Sequence, residues 1–201
     1  MQDVVSVWVF RRAWDGRSLA ILLPSALVGI ILGYLLAAYV SAAAVELAIG
    51  LTSVVFGSRY LWVHWHRIAR PRGSSDLAGV AWGTVSGFTS QIAHAGGVPF
   101  QLYMLPKGLE RDVLIGTSAL YFAAVNWMKV PAYIALGQFT RANLATSVVL
   151  FPLAIVSTFA GAHLIRRISG ERVYVLFYIL LVVVGVKLTW DGAFALSDQI
   201  S

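Results

Sequence analysis

A chain of 201 residues with 59% hydrophobic and 12% charged side chains lies far from the composition of a soluble domain, about 45–50% apolar and 25% charged. Mean hydropathy of +0.78 and a net charge of +6 indicate a protein embedded in lipid. Its basic residues are grouped between apolar runs, as orientation signals are, which argues against a nucleic-acid surface. The lack of cysteine excludes disulfides, thiol chemistry and cysteine-ligated metal, and the opening MQDVVSVWVFRRAWDGR has too short an apolar run for a secretory signal.

At about 20 apolar residues per span, across a core of about 30 Å, the chain has room for about six spanning helices. The first covers residues 19–44 and carries Pro24, Gly29 and Gly33. The second, 45–65, has Glu46 near its start and Tyr60, Trp62 and Trp65 at its far end, where aromatic rings favour the interface. HRIARPRGSSD, residues 66–76, is the polar connector. Residues 77–106 are expected to form one interrupted span, followed by spans at 113–136, 144–165 and 173–190. Long apolar runs without alternation exclude an outer-membrane barrel, so the expected fold is an all-α polytopic helix bundle.

The interrupted stretch includes GTVSGFTSQIAHAGGVPFQLYMLP, residues 83–106. Gly79, Gly83 and Gly87 recur every four residues, a strip that lets a neighbouring backbone approach closely and can serve packing alone. Ser90, Gln91 and His94 continue roughly that face. Gly96, Gly97 and Pro99 then predict a break at 96–99, because proline lacks an N–H and clashes with a continuing helix. Freed backbone groups inside a membrane are tolerated only when buried in protein or lining a polar cavity, which makes the break a candidate ligand site. A half-helix start there would favour an anion.

In the next span Lys129 stands where a charge costs about 2.5–3.5 kcal/mol on insertion scales. Either its stem snorkels to the interface, or, with Asn126 one turn earlier and Tyr133 one turn later, it faces the interior and attracts an anion. His94 is equally suited to carry a proton near neutral pH or to make a structural hydrogen bond. His64 and His66, beside Trp62 and Trp65, read as interface anchors. Ser90 and His94 lie one turn apart on one helix, an arrangement unlike that of a serine protease, so no catalytic residue, metal ligand or cofactor is expected.

Sliding the chain by 128 residues gives 12 identities over the 41 positions from Leu22 to Trp62. Pro24 falls on Pro152, Gly33 on Gly161, Ser41 on Ser169, Gly57 on Gly185 and Trp62 on Trp190. Two related halves are usual in secondary transporters, with the substrate site at their interface near the midplane. On this offset the counterpart of residues 83–106 would fall upstream of Met1, so residues 1–65 read as an incomplete first half and 77–201 as a second half. About one and a half helices are expected to be lacking from a complete two-half protein.

The motif GFTSQIAHAGGVPFQLYMLP and the run GTSALYFAAVNWMKVPAYIALG, residues 116–137, resemble the sulfite exporter TauE/SafE family of membrane transporters. The likeness covers about residues 14–192, with His94 near a position where that pattern commonly has Asn. It implies two four-helix halves, taken as parallel repeats in the complete form. It also implies a transporter that moves a small anion, such as sulfite, an organosulfonate or a related oxyanion, across the cytoplasmic (inner) membrane by alternating access. On this reading Ser90, Gln91, His94, Gly96, Gly97, Pro99, Asn126 and Lys129 bind substrate and no cofactor is needed. The expected partners are the small anion, the bilayer, a coupling proton or ion and a second copy of the chain, and not nucleic acid. The alternative is a non-transporting accessory or degenerate subunit. Arg11, Arg12, Arg17, Arg67, Arg70, Arg72 and Arg141 are expected on the side opposite Lys107, Arg111, Arg166, Arg167 and Arg172, weakly placing residues 66–76 and the C-terminus in the cytoplasm.

Overall fold

The computed structural model describes residues 13–37, 39–66, 73–135 and 169–198, with isolated positions from 152 to 167. Among the described residues every regular element is helical. In chain order these are α1 (Gly16–Leu36), α2 (Ala42–Trp65), α3 (Asp76–Ile92), α4 (Gly97–Met104) with a 3-10 turn after it (Leu105–Lys107), α5 (Arg111–Ala135) and α6 (Gly170–Asp198). The fold is thus the expected all-α bundle, and α1, α2, α5 and α6 are long and apolar enough to cross a membrane. The expected span at 144–165 lies outside the described residues apart from those isolated positions, as do residues 1–12 and the connector's 67–72. Helix starts carry side-chain caps: Asp15 accepts from the Arg17 amide before α1, and Ser75 Oγ from the Ala78 amide before α3. Each satisfies a donor that the helix itself leaves unpaired.

The stretch 77–106 enters and returns on one face, which corrects the expected single interrupted span. α3 runs inward for 17 residues, about 25 Å at 1.5 Å per residue, and α4 runs back beside it. The Gly73 amide donates to the Pro106 carbonyl at 3.3 Å, so both ends meet at the same level. Midway the Tyr103 ring lies against Gly79, and near the turn Ser86 Oγ donates to the Gly96 carbonyl at 2.6 Å. The element is a re-entrant helical hairpin. Its interruption also comes earlier than 96–99: α3 stops at Ile92 and α4 starts at Gly97. Pro99 therefore falls in the first turn of α4, where a missing N–H breaks no helical bond.

Glycine brings two helix pairs into backbone contact. Between α1 and α3, a methyl at Gly29 would sit 2.0 Å from the Thr84 carbonyl oxygen, and one at Gly87 would sit 2.0 Å from that of Ala26. Between α2 and α6 the contacts are reciprocal under the 128-residue offset. Gly57 lies against Tyr178 and Val182, while its counterpart Gly185 lies against Gly50 and Val54, the counterparts of 178 and 182. At the two ends of the pair, His64 stands 3.9 Å from Glu171 and Gly192, the counterpart of His64, lies on Ala43, the counterpart of Glu171. Such exchange marks an isologous, two-fold contact.

α2 and α6 run antiparallel in this contact, so the axis relating them lies in the membrane plane. The repeat is inverted, and the expectation of parallel repeats is corrected. The hairpin fits this arrangement, since 77–106 begins and ends on one face.

The return of the hairpin also revises the distribution of charge. Arg17 pairs with Asp76 at 2.8 Å, Lys107 reaches Asp15 at 3.5 Å, and Tyr174 OH donates to the Leu109 carbonyl at 2.7 Å. The starts of α1, α3, α5 and α6 thus share one face, with Arg17, Lys107, Arg111 and Arg172 all on it. Lys107 and Arg111 do not oppose the 66–76 connector, as expected from a crossing segment, but lie at its level.

Candidate substrate site at the hairpin tip

The tip lies about 25 Å from the face where α3 begins, beyond the middle of a core of about 30 Å. The Ala93 and Ala95 amides both donate to the Thr89 carbonyl, at 2.9 and 3.2 Å, and His94 between them takes the left-handed conformation, φ 54°. Asn, Asp and His are the non-glycine residues enriched in that region. The backbone therefore accounts for a His where the resembled pattern commonly has Asn. Gly96 is required by space, since a methyl there would lie 2.6 Å from the Ser86 carbonyl oxygen and from Ser90 Cβ. Gly97 is not, because the nearest atom to its methyl would be Phe122 Cζ at 3.9 Å.

Helix α5 crosses this tip and brings its charge to it. Lys129 is only 5% exposed; its Nζ lies 3.0 Å from Ser90 Oγ and 3.5 Å from the Ser90 carbonyl. The ammonium is turned to the hairpin and not along its stem to the surface. One turn on, Tyr133 places its ring 5.8 Å from Lys129 Nζ and its hydroxyl 3.1 Å from His94 Nε2. Two turns before Lys129, buried Tyr121 donates to Ser86 Oγ at 2.8 Å, which in turn donates to the Gly96 carbonyl. Three polar links thus tie α5 to the hairpin, two through Ser86 and Ser90 of α3 and one through His94 in the turn.

Of the expected residues the structure brings together Ser90, His94, Gly96 and Lys129. Gly97 opens α4 beside them. Gln91 packs its Cβ against Gly33 of α1, and its buried Oε1 has no hydrogen-bond partner among the described residues. Pro99 is buried inside α4, and Asn126 lies on an exposed flank of α5. Sequence reasoning passed over Ser86 and Tyr121, although Ser86 precedes Ser90 by one turn and Tyr121 precedes Lys129 by two, spacings that share a helix face.

Beside the tip a cavity of about 260 Å³ opens between α4 and α6, with His94, Gly97 and Gln101 on its rim. A larger cavity of about 560 Å³ lies at the α1–α2 turn beside Glu46; neither Lys129 nor any hairpin residue lines it. An ammonium, hydroxyls and the start of a half-helix converge at the tip, a donor set suited to a small oxyanion.

The chain matches the family described as Sulfite exporter TauE/SafE over residues 1–188. No curated protein and no solved structure matches it. The family is one of membrane transporters, which agrees with the apolar helices and with a role that is not enzymatic. By a match that spans nearly its whole length, the chain belongs to the sulfite exporter TauE/SafE family.

Proposed function

We propose that this chain carries a small oxyanion, such as sulfite, an organosulfonate or a chemically related anion, across the cytoplasmic membrane by alternating access. It does so as a multi-pass protein whose substrate site is the hairpin tip. The observation that carries this reading is the buried Lys129 ammonium held against the turn by Ser90. An ionisable group at membrane depth is costly and marks a functional site, and an arriving anion would pair with this ammonium. Ser90, His94, Gly96, Gly97 and Lys129 form the proposed binding set at the tip, with Tyr133 added as the contact between His94 and α5; Gln91, Pro99 and Asn126, which lie away from it, are proposed only as its supports. His94 and Tyr133, in hydrogen-bond contact, form a route for a coupling proton. The face gathering Arg17, Lys107, Arg111 and Arg172 is assigned to the cytoplasm by the positive-inside rule.

The test is anion flux into proteoliposomes, normalised to inserted protein. Lys129→Met keeps much of the stem's volume and lowers the insertion cost, so the protein inserts, and flux is expected to fall to background. Lys129→Arg is expected to retain partial flux, because a planar fork replaces a compact ammonium. Wild-type flux in Lys129→Met would overturn the role of Lys129.

A further inference from the structure

The described long helices and the hairpin fall into two packed groups. α6 lies on α2 from Glu171, 3.9 Å from His64, to Gly192 on Ala43, with Gly57, Gly185 and the stacked rings of Tyr60 and Tyr178 between. The other group is α1, α3, α4 and α5. It is tied by the glycine contacts of α1 on α3, by the Asp15 amide on Thr117, and by Tyr121 and Lys129 on the hairpin. Close packing of this kind resists deformation, so each group is rigid relative to the seam between them.

That seam is shut at one end and hollow further in. Gly170, Tyr174, Leu181 and Leu188 share one face of α6 and run along it. At the membrane face that carries Arg17, a methyl on Gly170 would stand 3.9 Å from Arg111 Cβ, and the half-buried Tyr174 donates its hydroxyl to the Leu109 carbonyl at 2.7 Å. Deeper in, Leu181 and Leu188 face His94, Gly97 and Gln101 across the cavity of about 260 Å³. Lys129 and Ser90 do not line this hollow, but His94 and Gly97 do, so it adjoins the hairpin tip. On the opposite membrane face the cavity of about 560 Å³ lies between residues 39–43 and Ala195 of α6, which leaves the α2–α6 pair room to tilt.

We infer that the α4–α6 seam is the route from the tip to the Arg17 face, and that Tyr174 is its latch. With the hydroxyl on Leu109 the route is shut; tilting of α2–α6 as one body away from the hairpin group opens it. This rests on the reading of the tip as the substrate site and adds the moving part and the group that holds it. Rocking of one packed group against another is a common way to expose a fixed site to alternate sides. A single neutral hydrogen bond has a small net value, so it can break in each cycle. Water at that face takes up both partners when it does, and no polar group is left unpaired.

The chain has no cysteine, so introduced ones report alone. Arg111→Cys with Gly170→Cys sets two Cβ atoms 3.9 Å apart, inside the about 3.5–4.5 Å that a disulfide spans. Oxidation in proteoliposomes is expected to form the bond and stop sulfite flux, and reductant to restore it. Undiminished flux with the bond formed overturns the route, and failure of the bond to form overturns the closed seam. The latch is tested without substrate, by labelling Gln101→Cys with a membrane-impermeant thiol reagent applied from the Arg17 face. Adding Tyr174→Phe is expected to raise the labelling rate about two- to twelve-fold, the population shift that one hydrogen bond sets. An unchanged rate overturns the latch. Faster labelling in a protein that shows no sulfite flux supports the latch and removes the transporter reading.

Discussion

The two glycine-built helix pairs use the same residue to different ends. In α1–α3, Gly29 and Gly87 press backbone against backbone, and every close neighbour of their missing methyls is a main-chain atom. In α2–α6, Gly57 faces the Val182 side chain and Gly185 faces Ser53 Cβ, and the contact repeats itself under two-fold exchange. The first pair holds one arm of the hairpin whose other face carries Ser86, Thr89 and Ser90, all buried. The second is largely apolar and includes the stacked rings of Tyr60 and Tyr178. At Gly29 and Gly87 the main chains themselves set the separation that brings the hairpin tip to Lys129, whereas at Gly57 a side chain meets the glycine; α2–α6 has main-chain contacts of its own at Gly50 and Gly192, so the contrast lies between these positions and not between whole interfaces.

The sharpest way to break this comparison is to add one methyl to each pair. Gly87→Ala puts carbon 2.0 Å from the Ala26 carbonyl oxygen, and neither main chain can yield without separating the helices. Gly57→Ala meets Val182 Cγ2 at 2.5 Å, the far end of a side chain that can twist about 30° off its rotamer at a cost of about 0.5–1.5 kcal/mol. Gly87→Ala is expected to lower the thermal midpoint in detergent by several times the drop caused by Gly57→Ala. Equal effects would show that both interfaces yield alike.

How far the sequence reaches is visible in the same residues. The helical class, the glycine strip on α3, the break near His94 and the cost of Lys129 are local properties, set by apolar content, spacing and helix chemistry, and they are legible. The return of the hairpin is not local. It rests on Gly73 meeting Pro106 across 33 positions, and a run of 30 apolar residues scores alike whether it crosses or turns back. The 128-residue offset shows that two segments are related but carries no direction, because a parallel and an inverted repeat have the same identities. Direction depends on which segments cross, and composition does not say whether 77–106 crosses or turns back. Spacing points to Gln91 and Asn126, and they fall away from the tip because α1 and not α5 packs against Gln91, while Asn126 lies about 60° round α5 from Lys129, on its exposed flank.

A smaller effect sharpens the hairpin side of the comparison. Ser86 Oγ receives the Tyr121 hydroxyl at 2.8 Å and donates to the Gly96 carbonyl at 2.6 Å, all three buried. Tyr121→Phe keeps the ring that stacks on Phe100 at 4.5 Å and removes only the donor. A loss of about 0.5–1.5 kcal/mol in unfolding free energy is expected, read from denaturant titration in mixed micelles. No loss at all would mean that the Ser86–Gly96 bond closes the turn unaided.

The smallest effect expected is at the hairpin's base, where Asp15 joins α1 to α5 and to the end of the hairpin. Its amide donates to Thr117 Oγ1 at 2.8 Å, and its carboxylate accepts from Ser18 Oγ at 2.5 Å and from Lys107 Nζ at 3.5 Å. Partial burial raises its pKa, but the Ser18 hydroxyl and the Lys107 ammonium together outweigh that and hold it below the ordinary value of 3.8. A carboxylate with a depressed pKa stabilises the fold above its unfolded pKa, and that contribution is lost as pH falls through the folded one. The midpoint difference between wild type and Asp15→Asn is therefore expected to be constant from neutral pH down to about 5, then to shrink below about pH 4 as the wild-type carboxylate protonates. Comparing the two curves cancels whatever is common to both proteins. Arg17 is also close enough to raise the difference through its charge, and repeating the pair at high salt separates the two cations. Lys107, at 15% exposure, is screened less than Arg17, at 74%, so most of the difference should survive. A difference that stays the same from pH 7 to pH 3 would assign the anchor to the Thr117 bond, which the substitution leaves in place.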